Sequence, residues 1–490
     1  MSSGSADYSD EKSVSSQTEK NELFVDQVDP QAEKRLLRKL DLIIIPQVTV
    51  LFLLNFIDRS AVGNANVAGF STDLHLNAAK NEYNIGLMLF FVVYILGEIP
   101  SNLILKKVGS WWLAFLCFCF GVITIGSAWI KSFGDFLAVR LLLGLFEGGV
   151  IPGIVFLCST YYRRSELAFR VGTFLSLGPG LSGAFGGLLA AGFLNVDAGS
   201  LHTWQKIFAL EGSITAGMGI IFFFTLPGPP ETTRYLTAEE RKLAVQRLNI
   251  EYGGQTQDKP TTQSVIRAIL NPFTWFCTLN YSILNVIVQG VSLFLPTIIS
   301  GLGHYSTTET QLRTVPPYII ASLWAVFISY CAWKTKRHGV YIAGSLVLTT
   351  VGYIMFLASS NPHVLYGASF LTFTGAIPCG SLFVAWATAN SGSPTSRAVT
   401  AAIVPAWGAI GSMVAPWVYL PKYKPRYIPG NSLNVACSVT AGLLAVSLVL
   451  WVRWENKQRE AGRRDGILEG KTEEEIKELG HRHPSYRFME

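Results

Sequence analysis

The sequence predicts an all-α membrane protein of twelve transmembrane helices, arranged as two six-helix bundles with both termini cytoplasmic. Three observations carry that expectation: an apolar composition, twelve hydrophobic runs split six and six, and a one-sided distribution of basic residues. Of 490 residues, 50% are hydrophobic and only 15% are charged, against about 25% charged in an average soluble domain. A water-soluble fold of this length could not hide that much apolar surface, whereas lipid covers it.

A helix needs about 20 mostly apolar residues to cross roughly 30 Å of hydrocarbon. Such runs lie at 42–66, 84–105, 110–130, 136–159, 168–193 and 204–226, and again at 272–300, 312–333, 340–358, 363–389, 398–420 and 433–453. Several contain proline (Pro46, Pro100, Pro179, Pro296, Pro378), which membrane helices tolerate because neighbouring helices satisfy the freed backbone groups. Of the 39 Lys and Arg, 30 fall in the tails and in every second connection, seven fall on the other side, and Arg59 and Arg140 fall within runs. That asymmetry is the positive-inside pattern of a chain with both ends in the cytoplasm.

The halves echo one another. Lys106-Lys107-Val108-Gly109 closes the second run, and Lys336-Arg337-His338-Gly339 closes the eighth, 230 residues later, as a parallel six-plus-six repeat requires. The organisation expected is a disordered cytoplasmic tail at 1–40, a first bundle at 41–226, a cytoplasmic linker at 227–270, a second bundle at 271–453 and a cytoplasmic tail at 454–490. Thr237-Ala238-Glu239-Glu240 reads as the start of a linker helix lying near the cytoplasmic surface. The first 30 residues are Ser-rich and charged, so no signal peptide is expected.

Other function classes find little support. The net charge of +6 is modest and its basic residues are not interleaved with aromatics, so no nucleic-acid partner is expected. All seven cysteines sit within apolar runs without ligand spacing, which reads as small buried hydrophobes with neither a disulfide framework nor a metal site. No H-E-x-x-H pair or Ser/His or Asp/Asp dyad at helical spacing suggests an enzyme, and no cofactor is implied.

The informative residues are the charges inside the runs, since an ionised group at mid-bilayer costs at least about 2.5–3.5 kcal/mol. Asp58 and Arg59 lie on the first run, Arg140 and Glu147 on the fourth. At 1.5 Å per residue, Asp58 and Arg140 reach a similar depth, and Glu147 lies about 10 Å further along the same face as Arg140. One reading is a set of buried structural ion pairs. The other is that Arg59 or Arg140 attracts an anion while Asp58 or Glu147 takes and releases a proton, with all four facing a shared cavity between the bundles. Tyr94, Asn285 and Gln289 are candidates to complete that cavity. Glu98, near the cytoplasmic end of the second run, is a candidate gate residue pairing with Lys107 or Arg170. Glu211, on the sixth run, has no assigned role.

These segments resemble a known family. Asn55-Phe56-Ile57-Asp58-Arg59, Tyr94-Ile95-Leu96-Gly97-Glu98-Ile99-Pro100-Ser101-Asn102 and the Arg140…Gly144…Glu147-Gly148 run are similar to signatures of the anion:cation symporter family. That family belongs to the major facilitator superfamily, and the likeness is to its fungal allantoate, nicotinate and pantothenate permease-like branch. The resemblance covers the chain from about residue 34 into the tail. It implies the superfamily fold and a secondary transporter, here expected to be a monomer in the plasma membrane. The transport implied is proton-coupled uptake of a small organic anion by alternating access. It also implies that Asp58 and Glu147 match the proton-linked carboxylates, and Arg59 and Arg140 the paired arginines. One departure stands out: where the superfamily's loop pattern places Gly and Asp, this chain has Asn102 and Lys106, so Glu98 is expected to substitute in the gate. A secondary-metabolite exporter and a non-transporting nutrient sensor are the alternatives, and uptake assays at two pH values separate them.

Overall fold

The computed structural model of the chain describes residues 29–196, 201–253, 266, 268–303, 305–392, 394–424, 426–468, 470 and 482–490. Among the described residues there is no β-strand. The first half comprises α1 (Pro30–Val67), α2 (Glu82–Val108), α3 (Trp111–Ser127), α4 (Phe133–Glu147), α5 (Val150–Ser159), α6 (Arg164–Leu194) and α7 (Thr203–Thr225). A connecting helix α8 (Ala238–Gly253) leads to α9 (Pro272–Ser300), α10 (Thr307–Thr335), α11 (His338–Ala358), α12 (Pro362–Ala389), α13 (Pro394–Gly408), α14 (Ile410–Val418) and α15 (Ile428–Glu460).

Several helix starts are written locally. Asp29 accepts a hydrogen bond from the Gln31 N–H at 2.9 Å, and Pro30 occupies the first helical position of α1. Asn271-Pro272 and Asn361-Pro362 repeat that device at α9 and α12. Ser132 and Asp135 form a reciprocal capping box on α4, and Thr237 and Glu240 do the same for α8.

Nine helices among the described residues are long and apolar enough to cross a membrane, with α4 and α5, and likewise α13 and α14, each counted as one span. The two parts of α2, bent by 46° on either side of Ile99, make a tenth; Pro100 removes a backbone donor there. Shorter apolar helical stretches are Trp111–Ser127 and Gly178–Leu194. Large apolar side chains such as Leu96, Phe224, Leu323 and Leu443 are about two-thirds exposed on the outer faces, the surface that lipid covers.

Two apolar cores largely follow the halves, the first also taking in Leu293, Phe294 and Tyr419 of the second half. Phe52, Phe90, Phe120, Phe136 and Phe208 belong to the first, and Phe273, Tyr353, Phe383 and Trp386 to the second. The halves meet where α1 packs on α9, α2 on α14, and α6 on α10 and α12. Among the described residues, the hydrogen bonds that cross between halves run from Asn84 to the Pro416 carbonyl, from Gln311 Nε2 to the Asn64 carbonyl (3.2 Å), and from Trp417 Nε1 to Met88 Sδ (3.2 Å). All three lie where α1 ends and α2 begins, the end of the molecule away from Pro30. Tyr83, Phe294 and Tyr419 pack into the same seal.

Two boundaries differ from the sequence reading. The first helix begins at Pro30, not near residue 41, because its capped start extends into a charged cluster. Glu33 binds Arg163 (2.8 Å) and Arg247 (2.7 Å), while Arg247 also binds Glu166 (2.6 Å). At the other end, α15 continues to Glu460, and residues 482–490 fold back onto the second bundle. There Phe488 is buried against Phe273 and Trp451, and Trp386 Nε1 donates to the Met489 carbonyl at 2.9 Å. The aromatic pair Tyr486 and Phe488 gives this stretch something to bury, which a solvated tail lacks.

Candidate functional site

The site grows from a close approach of α2 and α4. Gly144 and Gly148 leave no room for a side chain: a methyl at either would strike the Phe90 or Tyr94 carbonyl of α2. That contact draws the face carrying Arg140 and Glu147 inward, toward the stretch of α1 that carries Asn55, Asp58 and Arg59. All five side chains are buried, with Glu147 and Asn55 wholly inaccessible.

Their contacts are specific. Asn55 Nδ2 donates to Glu147 Oε2 at 3.2 Å, and Arg59 Nη2 stands 3.8 Å from the same oxygen. Thr124 of α3 donates to Asp58 Oδ1 at 2.6 Å. The Asp58 carboxyl contacts that of Glu147 and lies within electrostatic reach of Arg140 and Arg59. Arg140 has Asp58, Tyr83 and Glu147 as its electrostatic neighbours, and its guanidinium lies 5.5 Å from the Phe136 ring. The four charges therefore form one cluster inside the first half.

Arg59 is the member that reaches out of it. Its guanidinium is boxed by Phe56 (4.9 Å), Tyr94 (4.7 Å), Phe90 (5.5 Å) and Phe91 (5.9 Å), an arrangement that holds a cation by its attraction to ring faces. Among the described residues, its Nε and Nη2 make no hydrogen bond. The same side chain lines a cavity between the halves, together with Ser60, Ser182, Gln289, Ser292 and Tyr318. That cavity encloses about 30 Å³, far below the roughly 300 Å³ at which ligand pockets begin. Its lining residue Ser60 lies one turn of α1 before the seal residue Asn64.

Of the residues expected to meet substrate, Arg59 and Gln289 line the cavity, and Tyr94 supports Arg59 from behind. Arg140 lies behind them within the bundle, and neither it, Asp58 nor Glu147 lines this cavity. The expectation that all four charges face a shared opening thus meets the geometry at Arg59 alone, because α2 and α4 close over the others. Asn285 donates to the Tyr281 and Gly408 carbonyls at 3.1 and 3.3 Å, which ties α9 to α13.

The expected gate is rearranged. Arg170 donates to Asp41 through Nε and Nη2, at 2.5 and 2.7 Å, and stacks on Tyr162 at 4.3 Å. Glu98 is half-buried and Lys107 exposed, and among the described residues neither pairs with the other or with Arg170. A bidentate carboxylate suits a guanidinium fork, and Asp41 of α1 supplies it. Sequence reasoning left Asn55, Phe56, Thr124 and the seal residues Asn64, Asn84 and Gln311 without roles. Their signal was available, since each is a polar or aromatic side chain placed within or beside an apolar run. Among the described residues, no group of three or more His, Cys, Asp or Glu could hold a metal ion.

Comparison with known proteins places this architecture. A sequence profile described as Major Facilitator Superfamily matches residues 48–416. An uncharacterized transporter of Schizosaccharomyces pombe is 33% identical over 436 residues, 88% of this chain and 86% of that protein. The high-affinity nicotinic acid transporter of Saccharomyces cerevisiae is 32% identical over 432 residues, 88% of this chain and 80% of its own length. An MFS-type transporter of Hormonema carpetanum is 32% identical over 442 residues, 88% of each chain. Among solved structures, a bacterial homolog of the human lysosomal transporter Spinster in an inward-facing, occupied conformation superposes with a TM-score of 0.61 at 17% identity, covering 84% of this chain and 96% of that one. A D-xylose-proton symporter superposes with a TM-score of 0.61 at 14% identity, covering 82% and 96%. The two structural likenesses bear on the fold, and the profile and curated relatives bear on the family: the chain is a membrane transporter belonging to the major facilitator superfamily.

Proposed function

We propose that this transporter carries a small organic anion together with protons, as a twelve-span monomeric symporter of the plasma membrane with both termini cytoplasmic. The observation that carries this reading is Arg59, a buried cation with free donors at the cavity edge and a carboxylate 3.8 Å behind it. A planar fork of this kind matches a carboxylate ligand.

In the proposed cycle a carboxylate entering the cavity engages Arg59 and draws it away from Glu147. Glu147, buried with its counter-charge withdrawn, takes up a proton, since a desolvated ion without a partner is costly. Asp58, held by Thr124 and near Arg140, is the adjoining proton site. With both charges compensated, the halves rock about the fixed cavity, breaking the seal at Asn84, Asn64 and Gln311. Gln289 and Tyr318 offer polar contacts from the second half. At the cytoplasmic end, Asp41 and Arg170 are the gate pair this arrangement favours over Glu98 and Lys107. The nicotinic acid transporter among the relatives supports a carboxylate cargo, and the lack of an acidic partner for Arg59 within the cavity lining supports an anion over a cation.

Purified protein screened for thermal stabilisation tests the anion site. Nicotinate, or another small carboxylate of a panel, is expected to raise the melting midpoint, because a ligand of the folded form stabilises it by mass action. The neutral amide of the same acid is expected to leave it unchanged. Equal stabilisation by acid and amide would remove the anion reading.

A further inference from the structure

The proposed cycle leaves one buried carboxyl without a task. Glu211 lies eight residues into α7, is 3% exposed, and its Oε1 has no hydrogen-bond partner among the described residues. Its burial follows from glycine. A methyl on Gly212 would strike the Gly121 carbonyl and the Ile125 amide of α3, and a methyl on Gly121 would strike Ala216 of α7, so the two helices touch backbone to backbone.

The groups around Glu211 are few. Asp58 of α1 is the charge within its electrostatic reach. From α3 come Thr124, committed to Asp58, and Cys117, whose thiol donates to the Thr215 carbonyl at 3.6 Å. Arg59, Arg140 and Glu147 neighbour Asp58 rather than Glu211, and residues 178–194 of α6 contain no titratable side chain.

Charge counting then bears on protonation. Asp58, Glu147 and Glu211 are three buried carboxyls, set against two buried guanidiniums, Arg59 and Arg140. Fully ionised, the set carries one uncompensated negative charge in a region from which water is packed out, an arrangement far costlier than a neutral one. A single proton balances it. Each of the three leaves one oxygen without a donor, but Glu147 has Asn55 and Arg59 on its other oxygen, Asp58 has Thr124 with Arg140 nearby, and these two carboxyls contact one another; Glu211 has no cation beside it. We propose that Glu211 is a proton-storing site: it holds the proton that neutralises the resting cluster. The storage stands on burial and charge balance alone; its use in transport rests on the symport reading.

Infrared spectroscopy of the full-length purified protein at neutral pH tests the storage without needing a substrate. A protonated buried carboxyl gives a carbonyl stretch that moves on exchange into D₂O. The spectrum of wild type minus Glu211→Gln is expected to show that band at an intensity of one group, and wild type minus Glu211→Asp to show the band shifted. A featureless difference in both would overturn the proposal, and if Glu211→Gln does not fold, the Glu211→Asp spectrum decides. Proteoliposome uptake separates the two claims. Wild-type uptake indifferent to a pH gradient would remove symport and leave the band standing, whereas gradient-driven uptake with no band would remove Glu211 alone.

Discussion

Arg59 stands 3.8 Å from Glu147, boxed by aromatic rings and at the edge of the cavity between the halves. One guanidinium thus faces a buried carboxylate on one side and the cavity between the halves on the other. Competition for that cation is the simplest coupling device the geometry allows, because binding at one face alters the charge balance at the other.

Neutralising the carboxylate should uncouple transport. A pH gradient of one unit sustains about tenfold accumulation per proton, or 1.4 kcal/mol. Glu147→Gln keeps an acceptor for Asn55 and retains the shape, so exchange of labelled for unlabelled substrate is expected at near wild-type rates. Accumulation should fall to about the external level. Counterflow and net-uptake assays on the same vesicles check both.

The two arginines should separate. Arg59→Lys replaces a fork by a point charge at the proposed docking site, and is expected to weaken substrate affinity roughly 10- to 100-fold, the loss of one charge-assisted contact of about 1.5–3 kcal/mol. Arg140→Lys, behind the cavity, is expected to change affinity less than about threefold while reducing gradient-driven accumulation. Equal losses of affinity in both would place Arg140 at the substrate instead.

The seal offers a conformational test. Asn84→Ala removes a hydrogen bond to Pro416 that crosses between halves, a contribution of about 1 kcal/mol, or roughly fivefold in the ratio of sealed to opened forms. Ser292→Cys, in a background lacking the accessible native cysteines, should then react faster with an impermeant thiol reagent applied from the side opposite the termini. An unchanged rate would mean that Asn84 does not contribute to the closure.

The returning segment should behave as part of the second bundle. Phe488→Ala empties a position packed by Phe273, Trp451 and the Arg459 guanidinium, at about 3 kcal/mol for a buried ring, and should make residues near 482–490 cleavable by protease. Glu490 anchors the same segment. The Arg453 hydrogen bond holds its carboxyl below its usual range, so its contribution is present above ordinary carboxylate values and is lost as pH falls through the lower value. Wild-type protection is therefore expected to be constant from about pH 8 to about pH 5.5 and to fall only in stronger acid.

Much of the architecture was legible in sequence because lipid imposes a blunt rule: a span needs a long apolar run, and a charge within one needs a reason. Asp58, Arg59, Arg140 and Glu147 stood out on that rule, and the structure gathers them. The rule did not say which way each side chain faces. Arg140 and Arg59 look alike in sequence, and only the glycine contact of α4 with α2 puts one behind the other. Asp41 hid at the presumed edge of a disordered tail, so Arg170 was matched to Glu98. The segment at 482–490 is too short and mixed to announce that its aromatic rings dock on a distant helix pair.

The most direct test of the central claim is labelled nicotinate uptake, alongside the wider carboxylate panel, into proteoliposomes with an imposed inward proton gradient and an internal pH dye. Accumulation of one of these anions above the external concentration, with matching internal acidification and collapse on adding a proton ionophore, is the expected result. Uptake of the anion that merely equilibrates, with or without the gradient and without proton movement, would contradict it.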